Sequence, residues 1–151
     1  MSCPETEHFV NNWKRIHKQT ARALSAAPED QLDWRPRDGM FTLRELVRHI
    51  AEAESGIVRT ALAGSMQKGD LDLGSASVAE IVRAYDESHA RLAAEVGRLT
   101  LDQLNEEIEA FGRKMRRIIL LWAMTEHEIH HRGQYYTYLR LAGVEPPPLY
   151  A

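Results

Sequence analysis

Apolar residues recur at spacings of three and four along most of the chain, which is the pattern of amphipathic helices. The first such segment predicts a helix over residues 5–26. Its inward-facing positions are Phe9, Trp13, Ile16, Thr20 and Leu24. The helix is expected to end before Pro28, because the residue that precedes a proline avoids helical backbone angles.

Two capping boxes mark the starts of the second and third helices. Thr42 and Glu45 form the first box, and Ser77 and Glu80 form the second. The predicted helices cover residues 42–63 and 77–96, each followed by a glycine. Residues 65–76 between them contain two glycines and few apolar side chains. This segment is therefore predicted to be a long crossing loop.

The longest helical pattern lies near the C-terminus. It predicts a helix over residues 114–141, which Gly143 and the prolines at 146–148 terminate. Residues 106–113 fit no single pattern and leave room for a short extended piece around residues 108–111. Four long helices in one small chain predict an all-α fold, a four-helix bundle that forms a single domain over residues 1–151.

The charge and the apolar runs narrow the function classes. The net charge is −3, and the basic residues are scattered except for a cluster at 113–117, which we interpret as the solvated start of the last helix. This pattern predicts no nucleic-acid partner. No apolar run approaches the length of a membrane span, and the chain starts without a signal-peptide pattern. With Cys3 as the single cysteine, we expect a cytoplasmic protein without disulfides or a membrane partner.

Three histidines are candidate metal ligands. His127 and His131 are four residues apart, so they share one face of the last helix. His49 comes from the apolar stripe of the second helix and is the predicted third ligand. Three imidazoles with one open position are typical of catalytic metal sites. The alternative for each histidine is a hydrogen-bonded place in the core.

The other histidines are less informative. His17 shares a helix face with Trp13 and could approach the same pocket, whereas His89 lies in a charged stretch and is expected to face solvent. His127 and His131 also satisfy the zincin peptidase pattern, in which Glu128 would be the general base. That alternative is weak because no further histidine follows, and we interpret Glu128 as a surface carboxylate.

Several segments together resemble the DinB / YfiT-like superfamily. They are LRELVRHIAEAE at 43–54, HEIHHRGQ at 127–134, YLRLAG at 138–143, the proline pair at 146–147 and DWRP at 33–36. The resemblance implies an up-down-down-up bundle, for which the long crossover between the second and third helices is suited. It also implies a divalent metal held by His49, His127 and His131, and a homodimer.

The resemblance also suggests an activity. Relatives include S-transferases and isomerases that use low-molecular-weight thiols such as bacillithiol or mycothiol. We therefore expect a metal-dependent transferase or hydrolase that acts on a small molecule, such as a thiol. Zinc or nickel are the expected metals, with manganese or iron as other options. The candidates for side chains that line the pocket or contact the metal ligands are Trp13, His17, Glu52, His130, Gln134 and Tyr138.

A non-catalytic metal- or ligand-binding dimer is the alternative to an enzyme. In that case a fourth protein ligand, such as Glu52 or His130, would close the site. The residues alone leave both alternatives open.

Overall fold

Four long helices dominate the fold. A computed structural model describes residues 2–150. Its helices are α1 (Pro4–Leu24), α2 (Leu43–Ala63), α3 (Val78–Val96), the short α4 (Leu101–Asn105) and α5 (Arg117–Leu141), with one 3-10 turn at Glu29–Gln31. Two short strands, β1 (Glu107–Ala110) and β2 (Arg113–Arg116), lie between α4 and α5.

Local sequence signals set the helix starts. The Thr42 hydroxyl accepts a hydrogen bond from the Glu45 backbone N–H, and the Glu45 carboxylate accepts one from the Thr42 N–H. Ser77 and Glu80 form the same reciprocal pair, which confirms both predicted capping boxes. Gly64 ends α2 in the left-handed conformation, with φ of 77°.

The four long helices pack as a bundle in which each packs mainly against two of the other three. α1 packs against α3 and α5, and α2 packs against the same two helices. The predicted four-helix bundle is therefore confirmed. The closest association of long helices, α2 with α5, joins the two helices that carry the predicted metal ligands. The up-down-down-up order stays a prediction.

The all-α prediction is incomplete, because residues 107–116 form an antiparallel hairpin. The last helix begins at Arg117, so the prediction that it starts at residue 114 is wrong, and most of the basic cluster lies on strand β2. Tertiary contacts hold the hairpin in place. The side chain of Ile108 is buried against Gly64, and the Glu109 N–H donates to the Gly64 carbonyl at 3.2 Å.

The crossing loop after α2 folds back onto that helix. A Cβ on Gly69 would lie 3.2 Å from the backbone nitrogen of Gly56, so the two backbones are in close contact. The Ser55 hydroxyl donates to the Asp70 carboxylate, and the Leu73 N–H donates to Glu52 at 3.1 Å. The loop therefore fixes one side of the region around His49.

Candidate metal centre

The three predicted metal ligands come together between α2 and α5. The Nε2 atom of His49 lies 3.2 Å from Nε2 of His127 and 3.1 Å from Nε2 of His131. All three side chains are partly buried. The ligand atoms of the three histidines all lie within 4.8 Å of one another. Among the described residues, no other His, Cys, Asp or Glu belongs to this group.

Helix packing explains why the rings converge. His49 lies between Leu46 and Ile50, which are buried in the core, so its ring is held at the α2–α5 seam. His127 and His131 are one turn apart on α5 and face the same seam. The spacing of four and the apolar stripe of α2 are the sequence features that produce this geometry.

A hydrogen bond orients one of the imidazoles. The Nδ1 atom of His131 lies 3.0 Å from the side-chain oxygen of Gln134. An amide oxygen only accepts hydrogen bonds, so Nδ1 carries the proton and Nε2 keeps its lone pair. Gln134 therefore prepares His131 to ligate through Nε2, as the outer partners of metal-bound histidines do.

Burial favours the neutral form of two of the rings. It lowers the pKa of His49, with a further lowering from the nearby His131. Burial likewise lowers the pKa of His127 to about 4, helped by the charges that its histidine neighbours would carry. Both rings are therefore neutral at pH 7, which is the form that binds a metal.

The donor set fits a divalent metal. Nitrogen ligands about 2.05 Å from a tetrahedral metal are about 3.3 Å apart, close to the observed Nε2 separations. Hydrogen bonding explains the cluster less well, since a single proton on His49 would be shared between two lone pairs. Three imidazoles also leave a coordination position for water or substrate.

Other predicted residues surround the centre. His130 is exposed, and its ring meets the edge of His131 at a centroid distance of 4.9 Å. The Glu52 carboxylate lies at the mouth of the site, where it accepts hydrogen bonds from Arg48 and from a loop N–H. Tyr138 lies two helical turns beyond His131 and packs in the core against Trp34.

Two open clefts meet at His49, on either side of Glu52. The polar cleft, of about 460 Å³, is lined by Arg35, Met40, Phe41 and Arg48 together with His49 and Glu52. The apolar cleft, of about 430 Å³, is lined by Ala53, Ile57, Met66 and Phe111, with His49 and His127 at one end. The Phe41 ring stacks on His49 at a centroid distance of 5.2 Å. Sequence patterns indicated His49 and Glu52 on α2 but not Met40, Phe41, Met66 and Phe111, because these four come from loops and from the turn of the hairpin.

Trp13 and His17 lie in a different cluster, inside the bundle. One oxygen of the Glu54 carboxylate accepts a hydrogen bond from Trp13 Nε1 at 2.9 Å and lies 3.2 Å from His17 Nδ1. His89 Nδ1 lies 3.5 Å from the same oxygen. The expectation that His89 faces solvent is wrong, because its ring stacks on His17 at 3.8 Å in the core.

This buried cluster is ionic. Burial disfavours the charged forms of Glu54 and His17. The contacts with His17 and His89 nevertheless lower the pKa of Glu54 to about 2. The contacts with Glu54 and Asp86 raise the pKa of His17. His17, Glu54 and His89 also have ligand atoms within 4.8 Å of one another. The stacked rings have nearly parallel planes, however, so their lone pairs do not converge on one point. An ion pair therefore describes the cluster better than a second metal site.

Glu128 is also buried, so its interpretation as a surface carboxylate is wrong. It is 2% exposed and accepts a hydrogen bond from the Tyr85 hydroxyl. Burial, and then the charge of Glu54, raise the pKa of Glu128 to about 8. Its position in the core of the bundle argues against a role as the general base of a peptidase.

None of the helices in the described part of the chain is both long and apolar enough to span a membrane.

Comparison with known proteins gives matches along nearly the whole chain. The uncharacterized protein YjoA of Bacillus subtilis strain 168 is 28% identical over 149 residues, covering 95% of this chain and 92% of that protein. The uncharacterized protein YrdA of the same strain is 25% identical over 146 residues, covering 95% of this chain and 87% of that protein.

Solved structures share the fold. A DinB-like protein from Bacillus cereus superposes with a TM-score of 0.82 at 23% identity, covering 95% of this chain and 97% of that one. YfiT from Bacillus subtilis, described as a probable metal-dependent hydrolase with an unusual four-helix bundle topology, superposes with a TM-score of 0.75 at 19% identity, covering 96% of this chain and 91% of that one. The model of the DinB family matches residues 1–151, and the chain therefore belongs to the DinB family.

Proposed function

We propose that this protein binds one divalent metal ion through His49, His127 and His131 and is a metal-dependent enzyme that acts on a small molecule. The observation that carries the proposal is the convergence of three Nε2 atoms from two helices, with separations of 3.1 and 3.2 Å between His49 and the other two rings. The description of YfiT, which shares the fold, as a probable metal-dependent hydrolase is consistent with it.

The residues of the chain have separate roles in this proposal. The three histidines hold the metal, and Gln134 fixes the ring of His131. When bound, a divalent metal lowers the pKa of a coordinated water or thiol and so supplies a nucleophile near neutral pH. The two clefts give a substrate access to the centre from either side of Glu52.

The reaction class is hydrolysis or thiol S-transfer. The family resemblance of the two histidine segments supports the thiol reaction, and the description of YfiT supports hydrolysis. Zinc and nickel are the proposed metals, since imidazole suits both. The protein is also proposed to be a homodimer, on the family resemblance alone.

Cobalt substitution tests the enzyme proposal. The visible spectrum of the cobalt-loaded protein is recorded during titration with 2-mercaptoethanol, because a thiolate that enters the coordination sphere adds a charge-transfer band. A band that saturates would show that the open coordination position accepts a thiol, which S-transfer requires. Turnover of an activated ester such as 4-nitrophenyl acetate, lost with the metal, would support hydrolysis. A metal-loaded protein that responds to neither would favour the non-catalytic alternative.

Two variants control this experiment. His131→Ala removes a proposed ligand and should abolish the spectral response and the turnover. His130→Ala removes the exposed ring beside it and should leave both intact. Loss of the response in both variants would indicate a general effect on this part of α5 and contradict the assignment of the ligands.

A further inference from the structure

The apolar cleft ends at the proposed metal centre. Its volume of about 430 Å³ is within the range of small-ligand sites. Met66 is 54% exposed and Phe111 is 58% exposed, and both line the cleft. Exposing two large apolar side chains to water in one cleft does not stabilise the protein. Exposed apolar patches of this kind mark binding sites, and an apolar ligand in the cleft would cover both side chains.

The backbone of Phe111 is in an uncommon conformation. Phe111 has φ of 53° and Gly112 has φ of 71°, so both lie in the left-handed region at the turn of the hairpin. Turns of this kind favour asparagine followed by glycine, and a bulky residue at the first position is strained. Burial does not explain the phenylalanine, since more than half of its surface is exposed. Strain of this kind is concentrated at functional sites.

The hairpin holds Phe111 in a fixed place relative to the metal ligands. The Phe111 N–H donates to the Met66 sulfur at 3.3 Å. Below the turn, Ile108 is buried against Gly64 and the Glu109 N–H donates to the Gly64 carbonyl. Gly64 ends α2, the helix that carries His49, so the hairpin that carries Phe111 is attached to the end of that helix.

We infer that Phe111, Met66 and Ile57 form the binding site for an apolar group, an alkyl or aryl chain, of the small molecule that meets the metal at His49 and His127. The inference rests on the proposed function and adds the chemical class of its substrate. A small molecule is the proposed occupant because the cleft leads to the two imidazoles. A ligand there can place a reactive atom at the metal while its apolar part lies on Phe111.

A pair of carboxylates that differ only in chain length tests the inference. Acetate and hexanoate are titrated into the cobalt-loaded protein, and binding is followed by the visible spectrum. A fully buried methylene strengthens binding about fourfold, and a half-open cleft gives about twofold for each of the four added methylenes. Hexanoate should therefore bind on the order of tenfold more tightly than acetate.

The variant Phe111→Asn tests the role of the Phe111 side chain most directly. Asparagine suits the left-handed turn, so the midpoint of thermal unfolding should stay the same or rise, and the metal content and acetate affinity should not change. The preference for hexanoate should fall several-fold. Met66→Ser removes an apolar wall of the cleft together with the sulfur that accepts from the Phe111 N–H, and it should reduce the same preference. Leu141→Asn, at the far end of α5 and 62% exposed in the native chain, should leave the preference intact.

The outcomes separate the two proposals. Equal affinity for acetate and hexanoate in a metal-loaded protein would overturn the inference and leave the metal site standing. A wild-type protein that takes up no cobalt would overturn the proposed function and the inference with it. If Phe111→Asn instead converts a dimer to a monomer in sedimentation and leaves the hexanoate preference unchanged, the cleft is covered by a second copy and the inference is wrong.

Discussion

Replacing Glu54 with glutamine should destabilise the bundle by several kcal/mol. The carboxylate is 2% exposed and accepts or faces N–H groups from Trp13, His17 and His89. The substitution Glu54→Gln keeps the shape of the side chain but removes its negative charge. The buried ring of His17 would then lie beside a neutral partner, with the exposed Asp86 as the carboxylate still in contact with it.

The structure gives the magnitude. The pKa of Glu54 falls from 4.5 in the unfolded chain to about 2 in the folded protein, a difference that corresponds to about 3 kcal/mol. Since this folded pKa is depressed, the contribution is fully present above pH 4.5 and is lost as the pH falls toward 2. Breaking a buried ion pair typically costs about 3–5 kcal/mol, which agrees with this value.

Urea denaturation at pH 7 measures the effect. We expect Glu54→Gln to lower the free energy of unfolding by about 2–4 kcal/mol, with the slope against urea unchanged. Asp86→Asn is the matched control, because Asp86 contacts the same ring from the surface and its side chain is 55% exposed. That variant should cost less than about 1 kcal/mol. Similar small losses in both variants would refute the view that a buried ion pair joins the helices.

Three further predictions concern the site and the elements around it. Gln134→Leu removes the acceptor that orients His131 and should weaken metal affinity about 10- to 100-fold, measured by chelator competition. Gly69→Ala places a Cβ against backbone atoms of α2 at 3.2–3.3 Å, so its unfolding midpoint in a thermal scan should fall. The metal-free protein should lose stability as the pH falls from 6.5 to about 4. In this range His127 becomes protonated in the unfolded chain, whereas burial keeps it neutral in the folded protein. In His127→Gln the free energy of unfolding should depend less on pH in that window.

Each of these predictions has a contrary outcome. Thr137→Leu, on an exposed part of α5, should leave metal affinity unchanged, and an equal loss there would contradict the role given to Gln134. Gly133→Ala adds a Cβ with no heavy atom within 4 Å inside a helix, so it should stabilise the protein by up to about 1 kcal/mol. Stabilisation by Gly69→Ala would show that the loop contact is not tight. Identical pH profiles for the wild type and His127→Gln would contradict the burial of a neutral ring.

The helices were predictable because their signals are local. The pairs Thr42–Glu45 and Ser77–Glu80 cap the helices within one turn, as the sequence predicts. The convergence of the three histidines was also predictable, since a spacing of four fixes a shared face on α5 and the apolar stripe around His49 points toward the core. The sequence leaves open whether these rings hold a metal.

Long-range contacts explain what the sequence did not reveal. The sequence left room for a short extended piece around residues 108–111, and strand β1 lies there. The pairing of two strands was not predictable, because the hairpin depends on the packing of Ile108 on Gly64, more than forty residues away, and its strands are only four residues long. Glu128 and His89 lie in polar stretches, and local patterns place such residues on the surface. Both are buried because polar partners on other helices surround them, Tyr85 for Glu128 and Glu54 for His89.

Metal content tests the central claim most directly. Elemental analysis of tag-free protein, purified without added metal and again after incubation with zinc or nickel, should give near-stoichiometric metal in the wild type. The metal should be lost in His49→Ala, His127→Ala and His131→Ala and retained in His8→Ala, which changes an exposed histidine on α1. A wild-type protein that holds no metal after this incubation, or ligand variants that keep it, would contradict the three-histidine centre.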